Sequence, residues 1–255
     1  MRPRQRRRLG QGQRMNVQCS LYAVIPIKET GDAKGRLASL LSATRRQELA
    51  LAMFEDVLAT LAHARELTGI FVVTADPAAA AIAPRHGAQV LSEGAREGHT
   101  GAVAAAARRL ARQAMLTVPG DIPLVQEEDI RQLIDAHRDA LRRDAPAFII
   151  VPAHDERGSN AVLCSPADAV PLTFGADSFL PHLAAARRCG IEPKVLKLPR
   201  VALDIDTPED LARFLGTHSH TRARALLERW GMRASGDDVY LAPFRGTPKA
   251  RTRNP

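Results

Sequence analysis

Short apolar runs alternate with stretches of apolar residues at helical spacing along most of this chain. Leu21 to Ile25, Ile70 to Thr74, Ala88 to Leu91, Met115 to Val118, Ala147 to Val151 and Lys194 to Leu198 are bounded runs of the kind that form buried strands. Gly158 to Cys164 reads as a turn leading into another. Between them, Arg45 to Leu61 carries Leu49, Met53, Val57 and Leu61 on one helical face, and Ala102 to Ala114 and Glu127 to Leu141 also read as helices. An amphipathic helix is expected after Phe179, with Ser178 or Asp177 as its N-cap, and another from Pro208, capped by Thr207. Strands alternating with helices predict one α/β domain over 20–216, a single Rossmann-like, mostly parallel sheet flanked by helices. Residues 1–19 read as a basic tail. Residues 217–255 read as a C-terminal extension, with a short helix from Thr221 to Trp230 and turn and tail from Gly231 onward.

Sheets of this kind bind ligands beyond the carboxyl ends of their strands, so the chemistry is sought in those loops. Pro119-Gly120 stops one strand and leaves Asp121 just past its end, where a carboxylate can hold Mg²⁺ against a triphosphate. Gly-Asp and Asp-x-Pro are also ordinary turn chemistry, so Asp121 by itself has a plain alternative. After the first strand, Pro26 to Leu37 places Lys28, Lys34 and Arg36 among two glycines, a charge pattern suited to a polyphosphate. It is not a P-loop, because G-x-x-x-x-G-K-[ST] is absent. Asp76, before Pro77, reads first as a helix N-cap. Ser92 to Gly101 is glycine-rich and runs into a helix, which lets backbone amides approach a ligand. Asp206, ahead of the Thr207 cap, is a second candidate metal carboxylate, whereas Asp210 reads as part of the cap.

Composition narrows the picture further. The chain has 255 residues, 45% hydrophobic and 4% aromatic, enough for one packed domain. Much of its net charge of +8 lies at the ends, in Arg2, Arg4, Arg6, Arg7, Arg8 and Arg14 and in Arg245, Lys249, Arg251 and Arg253. Such arms can grip nucleic acid through its phosphates, but no aromatic residues interleave them to stack bases, so nucleic acid is not the expected partner. Met15 offers an alternative start that would remove the first arm. No apolar run approaches a membrane span, and Cys19, Cys164 and Cys189 are scattered, so a reduced, cytoplasmic protein is expected. His218-Ser219-His220 reads as a polar helix start rather than a metal site.

Several pieces arrive in a telling order. They are Val24-Ile25-Pro26-Ile27-Lys28 with Ala33-Lys34-Gly35-Arg36-Leu37, then Val72-Val73-Thr74-Ala75-Asp76, then Pro119-Gly120-Asp121-Ile122-Pro123-Leu124. Gly158-Ser159-Asn160-Ala161, Phe174-Gly175-Ala176-Asp177-Ser178-Phe179 with His182, and Leu203 to Leu211 complete the series. Together they resemble the guanylyltransferase of coenzyme F-420 biosynthesis, the CofC/FbiD family, within the nucleotidyltransferases of the glycosyltransferase-A-like type. The resemblance implies that GTP and a phosphorylated three-carbon acid condense to a guanosine diphosphate-linked acid, releasing pyrophosphate. It implies that Asp121 and Asp206, helped by Asp204, hold Mg²⁺, and that Lys28, Lys34 and Arg36 bind phosphate at the catalytic centre. The nucleotide would meet Pro26, Lys28, Asp76, Glu93, Gly98 and Thr100, and the acid would meet His154, Ser159, Gly175 and Ser178. Candidate protein partners are a second copy of the chain and the next transferase of the deazaflavin pathway.

Two departures stand out. The family usually has Gly-Leu-Asn where this chain has Gly98-His99-Thr100, and an Asp is common where it has Ala153-His154. A histidine could serve an extra hydroxyl, which tilts the choice among 2-phospho-L-lactate, phosphoenolpyruvate and 3-phospho-D-glycerate toward the last. The rival readings are a nucleotidyltransferase of the CTP or molybdopterin type and a nucleic-acid-binding protein working through its basic ends.

Overall fold

The computed structural model describes residues 20–31, 33–143, 145–236 and 238–241, so both basic ends lie outside the described residues. Among these, seven strands form one sheet: β1 (Leu21–Ile27), β2 (Gly69–Thr74), β3 (Gln89–Leu91), β4 (Ala114–Thr117), β5 (Ala147–Pro152), β6 (Ser159–Ser165) and β7 (Lys194–Val195). Their spatial order is β3-β2-β1-β4-β6-β5-β7. Pairing is parallel except along β6, which runs antiparallel to both β4 and β5. From β1 the chain moves outward to β2 and β3, then returns to lay β4 on the other side of β1. The strand order therefore reverses between β1 and β4, and their carboxyl ends open the crevice where such sheets bind ligands.

Side-chain alternation explains why the central strands read as continuous apolar runs, since both faces of the sheet are covered there, while the edge strands β3 and β7 are exposed. Ala23, Ile25, Leu116 and Ile149 face α1 (Ala43–His63) and α4 (Glu127–Leu141), which contribute Phe54, Val57, Leu61, Ile130 and Leu133. Val24, Val73 and Met115 face α3 (Gly98–Leu110), and Phe148, Ile150 and Val162 face α5 (Phe179–Arg188). Two short helices, α2 (Pro77–Ile82) and α6 (Pro199–Ala202), follow β2 and β7.

Several bounds differ from expectation. The alanine-rich stretch ends its helix at Leu110, where Ala111 turns to φ 45°, and Ala114 already pairs with Leu21 in the sheet. Alanine suits either state, so pairing decides that boundary. At its other end the same helix begins at Gly98, which puts the glycines and His99 into its first turn. β7 is only two residues long, because Leu198 and Pro199 turn into α6. His218 to His220 form an irregular link rather than a helix start.

The stretch from Gly231, expected as turn and tail, is instead a hairpin. β8 (Met232–Ser235) pairs antiparallel with β9 (Asp238–Leu241). With α7 (Pro208–Gly216) and α8 (Arg222–Arg229) it closes a separate apolar cluster in which Leu49, Met53, Ile205, Phe214, Leu227 and Met232 are buried. Asp56, in the middle of α1, accepts hydrogen bonds from the Arg222 and Ala223 amides at 2.8 and 2.9 Å and so adds to the Thr221 cap of α8. Residues 222–234 thus pack onto the main helix of the domain.

Candidate active site

β1 delivers the chain into the cationic loop, and four contacts pin that loop. The Asp76 carboxylate accepts from the Thr30 amide and hydroxyl at 2.7 and 2.6 Å, and its other oxygen accepts from Ala78 and Ala79 at the start of α2. Burial works to raise the Asp76 pKa, but these hydrogen bonds, Thr30's first among them, hold it below the ordinary carboxylate value. Asp76 is therefore both the expected cap and a latch for the loop, with both oxygens engaged. Gln47 donates to the Thr30 hydroxyl and Arg46 to the Ala33 carbonyl, so α1 braces the loop from below.

Beyond this latch Lys34 takes a left-handed backbone conformation, φ 54° and ψ 42°, which costs a side-chain-bearing residue about 1 kcal/mol or more. The turn aims its ammonium at Asp121 Oδ2, 2.6 Å away, and Asp206 Oδ1, 2.7 Å away. Burial would lower the Lys34 pKa, but the charges of Asp121 and Asp206 outweigh it and raise the value above that of a free lysine. Asp206 shows the counterpart: burial pushes its pKa up, and Lys34, with Arg36 and Lys28 behind it, pulls it below the usual range.

Asp121 and Asp206 are held in register by the backbone. The Ile205 amide donates to the Asp121 carbonyl at 3.0 Å, stapling the β4 loop to the segment before α7. Gly120, just before Asp121, lies so close to Ile27 that an added Cβ would sit 2.3 Å from its Cδ1. Thr207 caps α7 as expected, in a reciprocal box with Asp210. Asp204 lies beside the pair, its pKa raised by burial and then by the charge of Asp121, and Asn160 donates to it at 3.0 Å. One oxygen of Asp121, Oδ1, is buried without a partner. Among the described residues no three His, Cys, Asp or Glu side chains converge as a ready metal cage. Mg²⁺ asks for less, one or two carboxylates completed by phosphate oxygens and water, and the orphaned Asp121 oxygen with Asp206 fits that donor set.

A second polar cluster stands at the start of β6 and α5. The Ser178 hydroxyl donates to Ser159 Oγ at 3.2 Å, and His182 Nδ1 lies 3.0 Å from the same oxygen. Ser178 holds the N-cap position of α5, as one of the two expected candidates, but its side chain makes no capping bond. Its backbone angles are helical, and Asp177 pairs with Arg157 across the surface at 2.6 Å. The Phe179 amide is met by the Arg157 carbonyl instead. Ser159 and Asn160 are neighbours on β6, so one strand serves both clusters.

The other predicted positions are placed as follows. Pro26 is buried within β1, and Lys28 and Arg36 are exposed on the loop, close enough to act on Asp206. Gly98 opens α3 at φ 73°, and Thr100 exchanges hydrogen bonds with the Phe174 backbone. Gly175 is exposed in the loop before α5. Glu93 is exposed and pairs with Arg108, apart from the lysine bridge. His154 is turned toward Asp210, with its Nε2 3.7 Å away, and among the described residues it makes no hydrogen bond to Ser159, Gly175 or Ser178. The sequence assigned no role to Thr30, and Asn160 and Phe174 entered only as motif residues. His99 stacks on Phe174 at 4.2 Å, and burial lowers its pKa to about 4 against the pull of Asp121, so the ring is neutral. Surface grooves bordered by α1 and α8 include none of Lys28, Lys34, Asp121, Asp204 or Asp206.

A cationic loop, facing carboxylates and a strand-order reversal between β1 and β4 give the architecture of a nucleotidyltransferase-type α/β protein. A solved nucleotidyl transferase from Methanothermobacter thermautotrophicus shares the fold, with a TM-score of 0.54 and 17% identity over 76% of this chain and 95% of that one. The sequence profile of the guanylyl transferase CofC-like family matches residues 21–240, and the chain belongs to that family. A phosphoenolpyruvate guanylyltransferase from Conexibacter woesei is 36% identical over 213 residues, covering 80% of this chain and 94% of its own. A 3-phospho-D-glycerate guanylyltransferase from Colwellia psychrerythraea is 38% identical over 191 residues, covering 74% and 88%. The family match runs through α8 and nearly to the end of the hairpin.

Proposed function

We propose that this protein transfers the guanylyl group of GTP to the phosphate of a phosphorylated three-carbon acid, releasing pyrophosphate, in coenzyme F-420 biosynthesis. The observation that carries the reading is the Lys34 bridge between Asp121 and Asp206, flanked by Lys28 and Arg36. Two anions must meet in this reaction, and a site for it needs cations and carboxylates fixed beforehand. Lys28, Lys34 and Arg36 would cradle the phosphates, and the amides opening α3 would face the nucleotide. Asp121 and Asp206, with Asp204 behind them, would hold Mg²⁺, which when bound draws charge from the phosphoryl group under attack. The acid's phosphate is already ionised near neutral pH, so no protein base is needed. Ser159 and Ser178 would receive the carboxylate at the far end.

Among the acids, phosphoenolpyruvate and 3-phospho-D-glycerate are named for the relatives. His154 points to Asp210 rather than to the serines, which removes the argument for an extra hydroxyl contact and favours phosphoenolpyruvate. Asp121→Asn and Asp206→Asn test the proposal. Each should keep the fold and lower pyrophosphate release from GTP and acid by orders of magnitude. Near-normal turnover of Asp121→Asn at limiting Mg²⁺ would return that residue to a turn former.

A further inference from the structure

We infer that His182 is a positioning residue that makes the Ser159 hydroxyl an obligate hydrogen-bond donor toward the acid's carboxylate; the inference rests on the guanylyl-transfer reading above. The Thr173 amide donates to His182 Nε2 at 3.0 Å. A backbone N–H cannot accept, so Nε2 presents its lone pair. Burial lowers the His182 pKa to about 4, so near neutral pH the ring carries one proton, and with Nε2 accepting it must be on Nδ1. Nδ1–H then donates to Ser159 Oγ at 3.0 Å.

Ser178 donates to the same oxygen at 3.2 Å. Both lone pairs of Ser159 are thereby filled, and its own proton has to point elsewhere. Among the described residues no acceptor meets it. Ser178 is 4% exposed and His182 1%, whereas Ser159 is only half-buried, so the free proton belongs to the hydroxyl that reaches solvent. Phe174 stands edge-on to the His182 ring at 5.0 Å and restrains it.

The helix start offers little competition. The Phe179 amide is spent on Arg157, Pro181 has no N–H, and the His182 amide bonds Ser178 within the helix. Of the two hydroxyls, Ser159 therefore holds the one proton left free at this end, since that of Ser178 is spent on Ser159. A free serine can donate or accept and so reads little. One locked as a donor selects an acceptor-only group such as a carboxylate, and it does so without losing rotor freedom on binding.

Acid KM should rise about fivefold in His182→Phe, the loss of one neutral hydrogen bond that orients the Ser159 hydroxyl, with the KM for GTP unchanged. His182→Asn, whose amide can donate from near the Nδ1 position, should recover most of that loss. In a Ser159→Ala background His182→Phe should add nothing further. An equal penalty in both backgrounds would overturn the inference. So would an imidazole ¹⁵N spectrum of the wild-type protein with the His182 proton on Nε2. Should His182→Phe not fold, His182→Asn and the spectrum carry the test. A wild type that releases no pyrophosphate with any acid would sink the transfer reading, and the spectrum would still judge the histidine.

Discussion

Replacing Lys34 by methionine removes the ammonium that separates two carboxylates while keeping most of the side-chain volume. At an effective dielectric of about 20, a contact at 2.6 or 2.7 Å carries about 6 kcal/mol of gross attraction for each partner. Desolvating the 8%-exposed ammonium gives back much of this, and Asp206, at 44% exposure, is screened by water. Leaving Asp121 and Asp206 facing each other should cost about 2 kcal/mol net, or about 4–8 °C in Tm for a domain of this size. Relief of the left-handed Lys34 backbone is not available, because methionine also carries a Cβ. Thermal unfolding in chelator reads the loss. Adding Asp121→Asn to Lys34→Met should recover part of it, since one of the opposed charges is gone. Titrating Mg²⁺ should then stabilise Lys34→Met more than wild type, where the ammonium already neutralises the same two carboxylates. A Lys34→Met protein as stable as wild type in chelator would show that the bridge does not set the balance of charge, and the reasoning would fail.

Other consequences are independent of that bridge. Since the His182 pKa falls from about 6.5 unfolded to about 4 folded, the unfolded chain takes a proton the native state refuses. Stability is then full above pH 6.5 and declines toward pH 4, by up to about 1.4 kcal/mol per pH unit from His182 and as much again from His99, whose pKa burial also lowers to about 4; urea unfolding across that range should show the slope, and His182→Gln should about halve it. Asp56→Ala leaves the Arg222 and Ala223 amides without their acceptor, with Thr221 the remaining cap of α8, and should cost about 2 kcal/mol, with amide exchange rising over residues 222–241 before the sheet opens; exchange unchanged there would deny Asp56 its role. Gly94→Ala forces a side chain onto φ 75°, with its Cβ 2.7 Å from the Gly101 carbonyl oxygen, and should lose about 1–3 kcal/mol in urea unfolding.

Much of the sheet was legible because both faces of its central strands are covered, so β1, β2, β4 and β5 appear as apolar runs ended by Pro, Gly or a cap, whereas the edge strands β3 and β7 are exposed. The carboxylates were legible for the same reason: Pro119-Gly120 ends β4 and the Thr207 box starts α7, leaving Asp121 and Asp206 at the edge. The bridge that joins them was not, because Lys34 lies 87 and 172 residues from its partners and only folding makes them neighbours. The direction of β6 was readable in principle, since the short link from Pro152 to Ser159 has no room for a crossover helix. The hairpin at 232–241 escaped notice because Met232 is its main buried anchor and polar residues fill much of the rest. His182 entered only as part of a motif. Its role depends on which nitrogen carries the proton, and that follows from the Thr173 amide rather than from any spacing.

The central claim is that this site joins a guanylyl group to a phosphorylated acid. Pyrophosphate release, followed with each of the four nucleoside triphosphates against phosphoenolpyruvate, 3-phospho-D-glycerate and 2-phospho-L-lactate in the presence of Mg²⁺, tests it most directly. The expected result is release that requires GTP and an acid together, greatest with phosphoenolpyruvate, and abolished in Asp121→Asn. Release with CTP but not GTP, or with GTP in the absence of any acid, would contradict it.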